Sequence, residues 1–190
     1  MSTLPRLEVP LTDGDVALRR FTLDDVSSVT AACQDPEISR WTVSIPWPYE
    51  EQDARTWISG HDTLWERGEA AELAVTAPGD GRLVGPLGLH SLDWDERRSS
   101  VGYWVVASER GHGVASRALR LGTGWAFETL NLRTVELVTM MGNVASERVT
   151  THAGFRVVEE IPDYQHPFDP DRRHHVKRWQ RRESSGAVGR

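Results

Sequence analysis

Apolar and polar positions alternate between two rhythms along the chain. Residues 16–20, 72–76, 83–92, 99–106 and 134–141 are short runs rich in Val, Leu and Thr, and read as strands. Between them apolar residues recur at helical spacing. Thr22, followed by Asp24 and Asp25, caps a helix running to about Cys33. Ala54, Trp57, Ile58, His61, Leu64 and Trp65 share one helical face that Gly68 ends. Val114, Ala118, Leu121 and Trp125 mark a helix over 114–130, and residues 145–153 form a short one closed by Gly154.

Proline and glycine punctuate the rest. Pro36, Pro46 and Pro48 make residues 35–49 mostly loop with short helical turns, and Pro78 to Gly81 is a turn. Asp93 to Arg98 is a polar turn, and Gly102 suggests a bulge or a close backbone approach. Phe155 to Glu159 begins a strand; Pro162, Pro167 and Pro170 then predict a loop over 160–173 before a last strand at 174–180. Strands and helices mixed in one unit make the class α/β or α+β. Residues 10–181 read as one domain, and 182–190 as a disordered tail.

Composition narrows the function. The chain has 190 residues, 38% hydrophobic and 26% charged, an ordinary soluble balance. It has no apolar run of about 18 residues and no secretory-type start, so no membrane partner is expected. The one cysteine, Cys33, has no internal partner, which makes a reducing cytoplasmic setting the default. A net charge of −6 argues against nucleic acid and is compatible with a cationic substrate, although mild acidity is common among soluble domains. His174 and His175 are neighbours on a strand and point to opposite faces, so no metal site is expected. Most of the eight tryptophans read as core anchors.

One local pattern carries chemistry. A strand leads into Arg110-Gly111-His112-Gly113-Val114-Ala115, and a helix follows. A helix start leaves backbone N–H groups unpaired at the positive end of its dipole. Gly111 and Gly113 allow tight curvature and clear the way for an anion, Ala115 keeps the first turn open, and Arg110 adds charge. The loop lacks the Lys-Ser/Thr ending of a P-loop, and it lies too late in the chain for a dinucleotide fold. Alone, it also fits a plain glycine-rich turn.

A second motif changes the balance. Asn143-Val144-Ala145-Ser146-Glu147-Arg148-Val149 leads to Gly154-Phe155, about 30 residues after the loop. Together the two motifs resemble the GNAT superfamily of N-acetyltransferases, with Arg110, Gly113 and Ala115 on its Gln/Arg-x-x-Gly-x-Gly/Ala signature. Asp35-Pro36-Glu37, Trp47-Pro48-Tyr49, Asp53 to Trp57 and Gly102-Tyr103-Trp104 are similar to the RimJ/RimL-type branch, which acetylates ribosomal-protein N-termini.

The resemblance implies a mixed, mostly antiparallel twisted sheet with helices on both faces and two strands that splay apart, here 99–106 and 134–141. It implies acetyl-CoA as cofactor, with the pyrophosphate on residues 110–115. The pantetheine arm pairs with the backbone of Trp104, Val105 and Val106, and Asn143 bonds it while also capping a helix. No metal is implied. The tyrosine that many members use as acid is Thr150 here, and the branch's serine maps onto Ser146, which also fits a plain capping role. The usual basic glutamate is Ser100, leaving Asp93, Asp95, Glu72 and His90 as substitutes, or no base at all. Trp41, Trp47 and Tyr49 wall the acceptor cleft, with Asp163, Tyr164, Gln165, His166 and Asp169 opposite, an acidic side suited to a cationic amine.

The expected partner is therefore an amine, first a protein or peptide N-terminus, with the enzyme a monomer or homodimer. A small-molecule amine, a non-acetyl acyl donor and a non-catalytic acyl-CoA sensor are the alternatives.

Overall fold

The computed structural model describes residues 3–5, 7–42, 44–77, 79–166 and 169–183, with backbone alone at 169 and 170. Of the tail predicted over 182–190, Arg182 instead ends the last strand, paired with Thr134, while residues from 184, with Pro78 and Pro167, lie outside the described residues. The strands are β1 (Leu11–Thr12), β2 (Ala17–Arg20), β3 (Ala71–Thr76), β4 (Leu83–Asp93), β5 (Arg98–Tyr103), β6 (Thr134–Met140), β7 (Arg156–His166) and β8 (Asp169–Arg182). The helices are α1 (Val26–Ala32), α2 (Pro36–Trp41), α3 (Glu51–Glu66), α4 (Val114–Glu128) and α5 (Val144–His152).

All eight strands join one sheet in the order β1-β2-β3-β4-β5-β6-β8-β7. Every pairing is antiparallel except β5 with β6. Alternation along the strands sorts the sheet's two faces. Leu73, Val75, Leu87, Leu89, Val101 and Leu137 pack with Leu119, Trp125 and Ala126 of α4. Fully burying a leucine such as Leu87 or Leu119 stabilises by about 1.5–3 kcal/mol. On the other face Ala74 packs with Val26 and Val29 of α1 and with Ala54 and Ile58 of α3. Gly122 lets α4 press onto the sheet, since a Cβ there would stand 2.6 Å from Leu87 Cδ2.

Caps at Asn143, Gly68 and Gly154 stand where the sequence places them, and the structure adds Asp35. Asp35 accepts from the Glu37 N–H at the start of α2, and Asn143 accepts from the Ser146 N–H at the start of α5. Gly68 and Gly154 close α3 and α5 at φ of 66° and 85°.

Three expectations are corrected. The strand predicted over 99–106 stops at Tyr103, because the chain beyond leaves the ladder and reattaches by a Val106 N–H to Val84 C=O bond of 2.9 Å. The predicted loop 160–173 is instead the far half of a long hairpin, β7–β8. Pro162 is tolerated because β7 is the sheet edge and its register shifts between Ile161 and Tyr164. The β4–β5 irregularity lies between His90 and Asp93, not at Gly102.

Candidate active site

The site begins where the sheet splits. β5 and β6 pair only at Arg98–Thr134, Ser99–Val135 and Ser100–Glu136. Beyond that vertex β5 continues against β4 as far as Tyr103, and β6 against β8 as far as Met140. The facing edges open into a V whose backbone groups are unpaired across the gap, which suits a thin, amide-bearing molecule lying between them as an added strand.

At the open end the chain is tightly held. A Cβ on Gly85 would meet the Trp104 carbonyl oxygen at 2.0 Å, so only glycine fits beneath Trp104. Val106 is tied to Val84, and the Val105 carbonyl accepts from Arg110 Nε at 3.0 Å. Of the three backbone positions expected to meet the pantetheine arm, Val105 and Val106 thus already have one group bonded.

The loop then turns into α4. Gly111 and Gly113 both have φ of 80°, and nothing lies within 4 Å of where either Cβ would stand. Gly113 is the N-cap of α4 and no side chain caps it, so the first-turn N–H groups of Val114 and Ala115 face outward. An open cradle of bare amides at a helix N-terminus fits a pyrophosphate. Arg110 is directed elsewhere: its Nη2 lies 2.6 Å from Asp35 Oδ2, which ties the loop to α2. Hydrogen bonding from the Glu37 N–H, aided by Arg110, holds the Asp35 carboxyl below the usual range. His112 is exposed beside the two glycines.

On the α5 side of the sheet Ser146 does not stand alone. Its Oγ lies 2.9 Å from Tyr103 Oη, and the fully buried Thr150 donates to the Ser146 carbonyl at 2.7 Å. Burial pushes the Tyr103 phenol up, so it stays protonated and able to donate. Tyr103 was missed in the sequence because it lies 43 residues from Ser146. The available signal was strand alternation, which turns Tyr103 to the same face as Val101 and hence toward α5.

On the opposite face the base candidates divide. Asp93 is engaged by Arg98 and the Glu96 N–H at the β4–β5 turn, away from the V, and Asp95 lies in the same turn. Glu72 and His90 come together, with His90 Nδ1 3.1 Å from Glu72 Oε1. Burial raises the Glu72 carboxyl. His90 pairs directly with Ser100, the position of the missing glutamate.

A cleft of about 400 Å³ opens between α2, the loop after it and the β7–β8 hairpin, lined by Arg40, Ile45, Trp47, Met140, Arg172 and His174 among others. Trp47 is 57% exposed there, whereas Tyr49 is buried. Trp41 is held by Glu37 and stacked under Arg40. Among the described residues the charged side chains lining this cleft are basic; Asp163, expected on an acidic wall, is not one of them, and the side chain of Asp169 lies outside the described residues. The hairpin's register presents Arg172 and His174 to it instead. Among the described residues no group of three or more His, Cys, Asp or Glu is placed to hold a metal, and no helix is long and apolar enough to cross a membrane.

A splayed mixed sheet with a glycine cradle at the helix start beside the gap defines an acyl-CoA-dependent N-acyltransferase. The sequence pattern of the acetyltransferase (GNAT) domain matches residues 15–156. This chain belongs to that family, the acetyl-CoA-dependent N-acetyltransferases. A candidate ribosomal N-acetyltransferase of Bacillus subtilis (strain 168) is 37% identical over 76 residues, 40% of this chain and 42% of that one, so the match spans less than half of that relative. The ribosomal-protein-serine acetyltransferase of Escherichia coli (strain K12) is 25% identical over 115 residues, 59% of this chain and 63% of that one. Among solved structures, Mycobacterium smegmatis RimJ in complex with CoA-disulfide superposes with a TM-score of 0.79 at 22% identity, covering 92% of this chain and 86% of that one.

Proposed function

We propose that this enzyme acetylates the α-amine of a peptide or protein N-terminus that carries negative charge close behind it. The observation behind this reading is the basic lining of the acceptor cleft, Arg40, Arg172 and His174, set among Trp47, Ile45 and Met140. Such a wall attracts acidic groups and repels polyamines and other polycations. Similarity to the ribosomal-protein-serine acetyltransferase of Escherichia coli supports a protein substrate.

In this reading the edges of Trp104 to Val106 and the side chain of Asn143 hold the pantetheine arm, while the first-turn amides at Gly113, Val114 and Ala115 hold the pyrophosphate. Gly111 gives the loop its curvature, and His112 and Arg110 flank it. Bound acetyl-CoA supplies the thioester. Ser146, polarised by the Tyr103 hydroxyl, hydrogen-bonds and protonates the departing sulfur. An α-amine, with a pKa near 7.7–8.0 against about 10.4 for lysine, is already about a tenth neutral at pH 7 and needs little help to become the nucleophile.

The test is free-thiol release with a panel of acceptors: peptides with acidic or basic residues after the first, a blocked peptide offering only lysine, and spermidine. The acidic-terminus peptide is expected to have the highest kcat/KM, and Arg40→Glu to move the preference toward the basic one. Turnover confined to spermidine or lysine overturns the reading. Tight CoA binding with no thiol release from any acceptor points to a sensor.

A further inference from the structure

The geometry points to His90, held in place by Glu72, as the group that takes the proton from the attacking amine. The inference rests on acetyl transfer at this cleft but not on which amine is used.

Ser100 is the last β5 residue paired with β6, at the vertex of the V. In the β4–β5 register His90 stands directly opposite Ser100, so both side chains emerge on the same face. The imidazole lies across a glycine floor. Its Nε2 would stand 2.6 Å from a Cβ on Gly88 and 3.6 Å from one on Gly102. Gly88 pairs with both Glu72 and Gly102 across three strands, so the floor runs from the buried carboxylate to the edge of the gap. Glu72 Oε1 lies 3.1 Å from Nδ1, which holds that side of the ring, and Nε2 is directed over the glycine floor.

This face is opposite the one holding Tyr103 and Ser146, so proton removal and sulfur protonation fall on the two sides of the split sheet. As the amine nitrogen bonds to the acetyl carbon and the carbon–sulfur bond breaks, the nitrogen's proton passes to Nε2. The sulfur takes its proton from the Ser146–Tyr103 pair, which regains one from solvent as the imidazolium discharges one to solvent, so the cycle closes with no net gain or loss.

The other groups facing His90 are accounted for. His61 of α3 is buried among Phe21 and Trp57, and burial lowers its pKa to about 4, so it stays neutral at working pH. Beyond it Arg20 pairs with Asp62. Glu136 of β6 is paired with Ser100 on the same face and accepts from Gln180 Nε2 at 2.5 Å, which makes it the rival base.

The experiment is kcat/KM against pH for wild type, His90→Gln, Glu72→Gln and Glu136→Gln, with whichever acceptor of the panel turns over fastest. His90→Gln is expected to lose about 30-fold or more at pH 7, to recover as pH rises and hydroxide takes the attacking nitrogen's proton instead, and to keep the wild-type KM for acetyl-CoA. Glu72→Gln is expected to move the acidic limb of the profile to lower pH, and His90→Ala to regain activity with added imidazole, neither of which a structural role would produce. A His90→Gln profile within threefold of wild type, a pH-independent loss, or removal of the limb by Glu136→Gln alone overturns the inference. No turnover with any acceptor overturns both this and the proposed function, whereas a spermidine preference with the His90 limb intact overturns only the latter.

Discussion

Tyr103 and Ser146 meet hydroxyl to hydroxyl at 2.9 Å, one from the last residue of β5 and the other from the first turn of α5. Thr150 braces the same turn from below. The phenol is kept protonated by burial, and either hydroxyl can donate to the other. Ser146→Ala is expected to lower kcat by about 10–100-fold with little change in KM for acetyl-CoA. Tyr103→Phe, which removes one hydrogen bond and leaves the ring packed, is expected to lower it by about 3–10-fold. Steady-state kinetics on both variants checks this; equal, full activity in both would remove the pair from the mechanism.

The cradle before α4 depends on backbone conformation rather than on space. Gly113 has room for a side chain but a φ of 80°, where a β-branched residue is strained by about 1–3 kcal/mol. Gly113→Val is expected to weaken CoA binding by about tenfold or more, measured by calorimetry, because the amides turn away from the pyrophosphate. Unchanged affinity would place the pyrophosphate elsewhere.

Two glycines in β4 are expected to respond differently to alanine. At Gly85 the clash is with backbone, 2.0 Å from the Trp104 carbonyl, and φ is 158°. Gly85→Ala should therefore lower the thermal midpoint and CoA affinity together. At Gly88 the clash is with side-chain ends, Glu72 Oε2 at 2.4 Å and His90 Nε2 at 2.6 Å. Gly88→Ala should cost kcat more than tenfold with a smaller change in melting temperature and normal CoA binding.

Acid should destabilise the fold through His61. Burial lowers its pKa from 6.5 to about 4, and its ring nitrogens have no hydrogen-bond partner among the described residues. The unfolded chain binds the proton below about 6.5 while the folded one refuses it until about 4. Stability therefore falls as pH drops through that window, by up to about 3 kcal/mol. His61→Phe should flatten the dependence in denaturant melts between pH 7 and 4; an unchanged slope would assign it to other groups.

Much of this protein was legible in one dimension because the relevant physics is local. Alternation placed β2, β3, β4 and β6, spacing placed α3 and α4, and the caps at Asn143, Gly68 and Gly154 depend on one or two neighbouring residues. The glycine loop and the Asn143-to-Phe155 motif are likewise contiguous, so the cofactor and the family followed from them. The hairpin at 160–173 was misread because proline penalises a strand only where its N–H is needed, and edge position is a property of the sheet.

What only the tertiary structure decided are relations between distant residues. Register across β3, β4 and β5 set His90 on Glu72 and opposite Ser100, and the parting of β5 from β6 made the gap. Folding of α5 onto Tyr103 gave Ser146 its partner, and Asp35 claimed Arg110 from across the molecule. The hairpin's register brought Arg172 and His174 to the acceptor cleft. Local sequence dictates which backbone conformations are cheap, and so named the elements and the cofactor loop. The meeting of side chains depends on register and packing summed over the whole sheet, so the acid, the base and the charge of the acceptor wall became visible only in three dimensions.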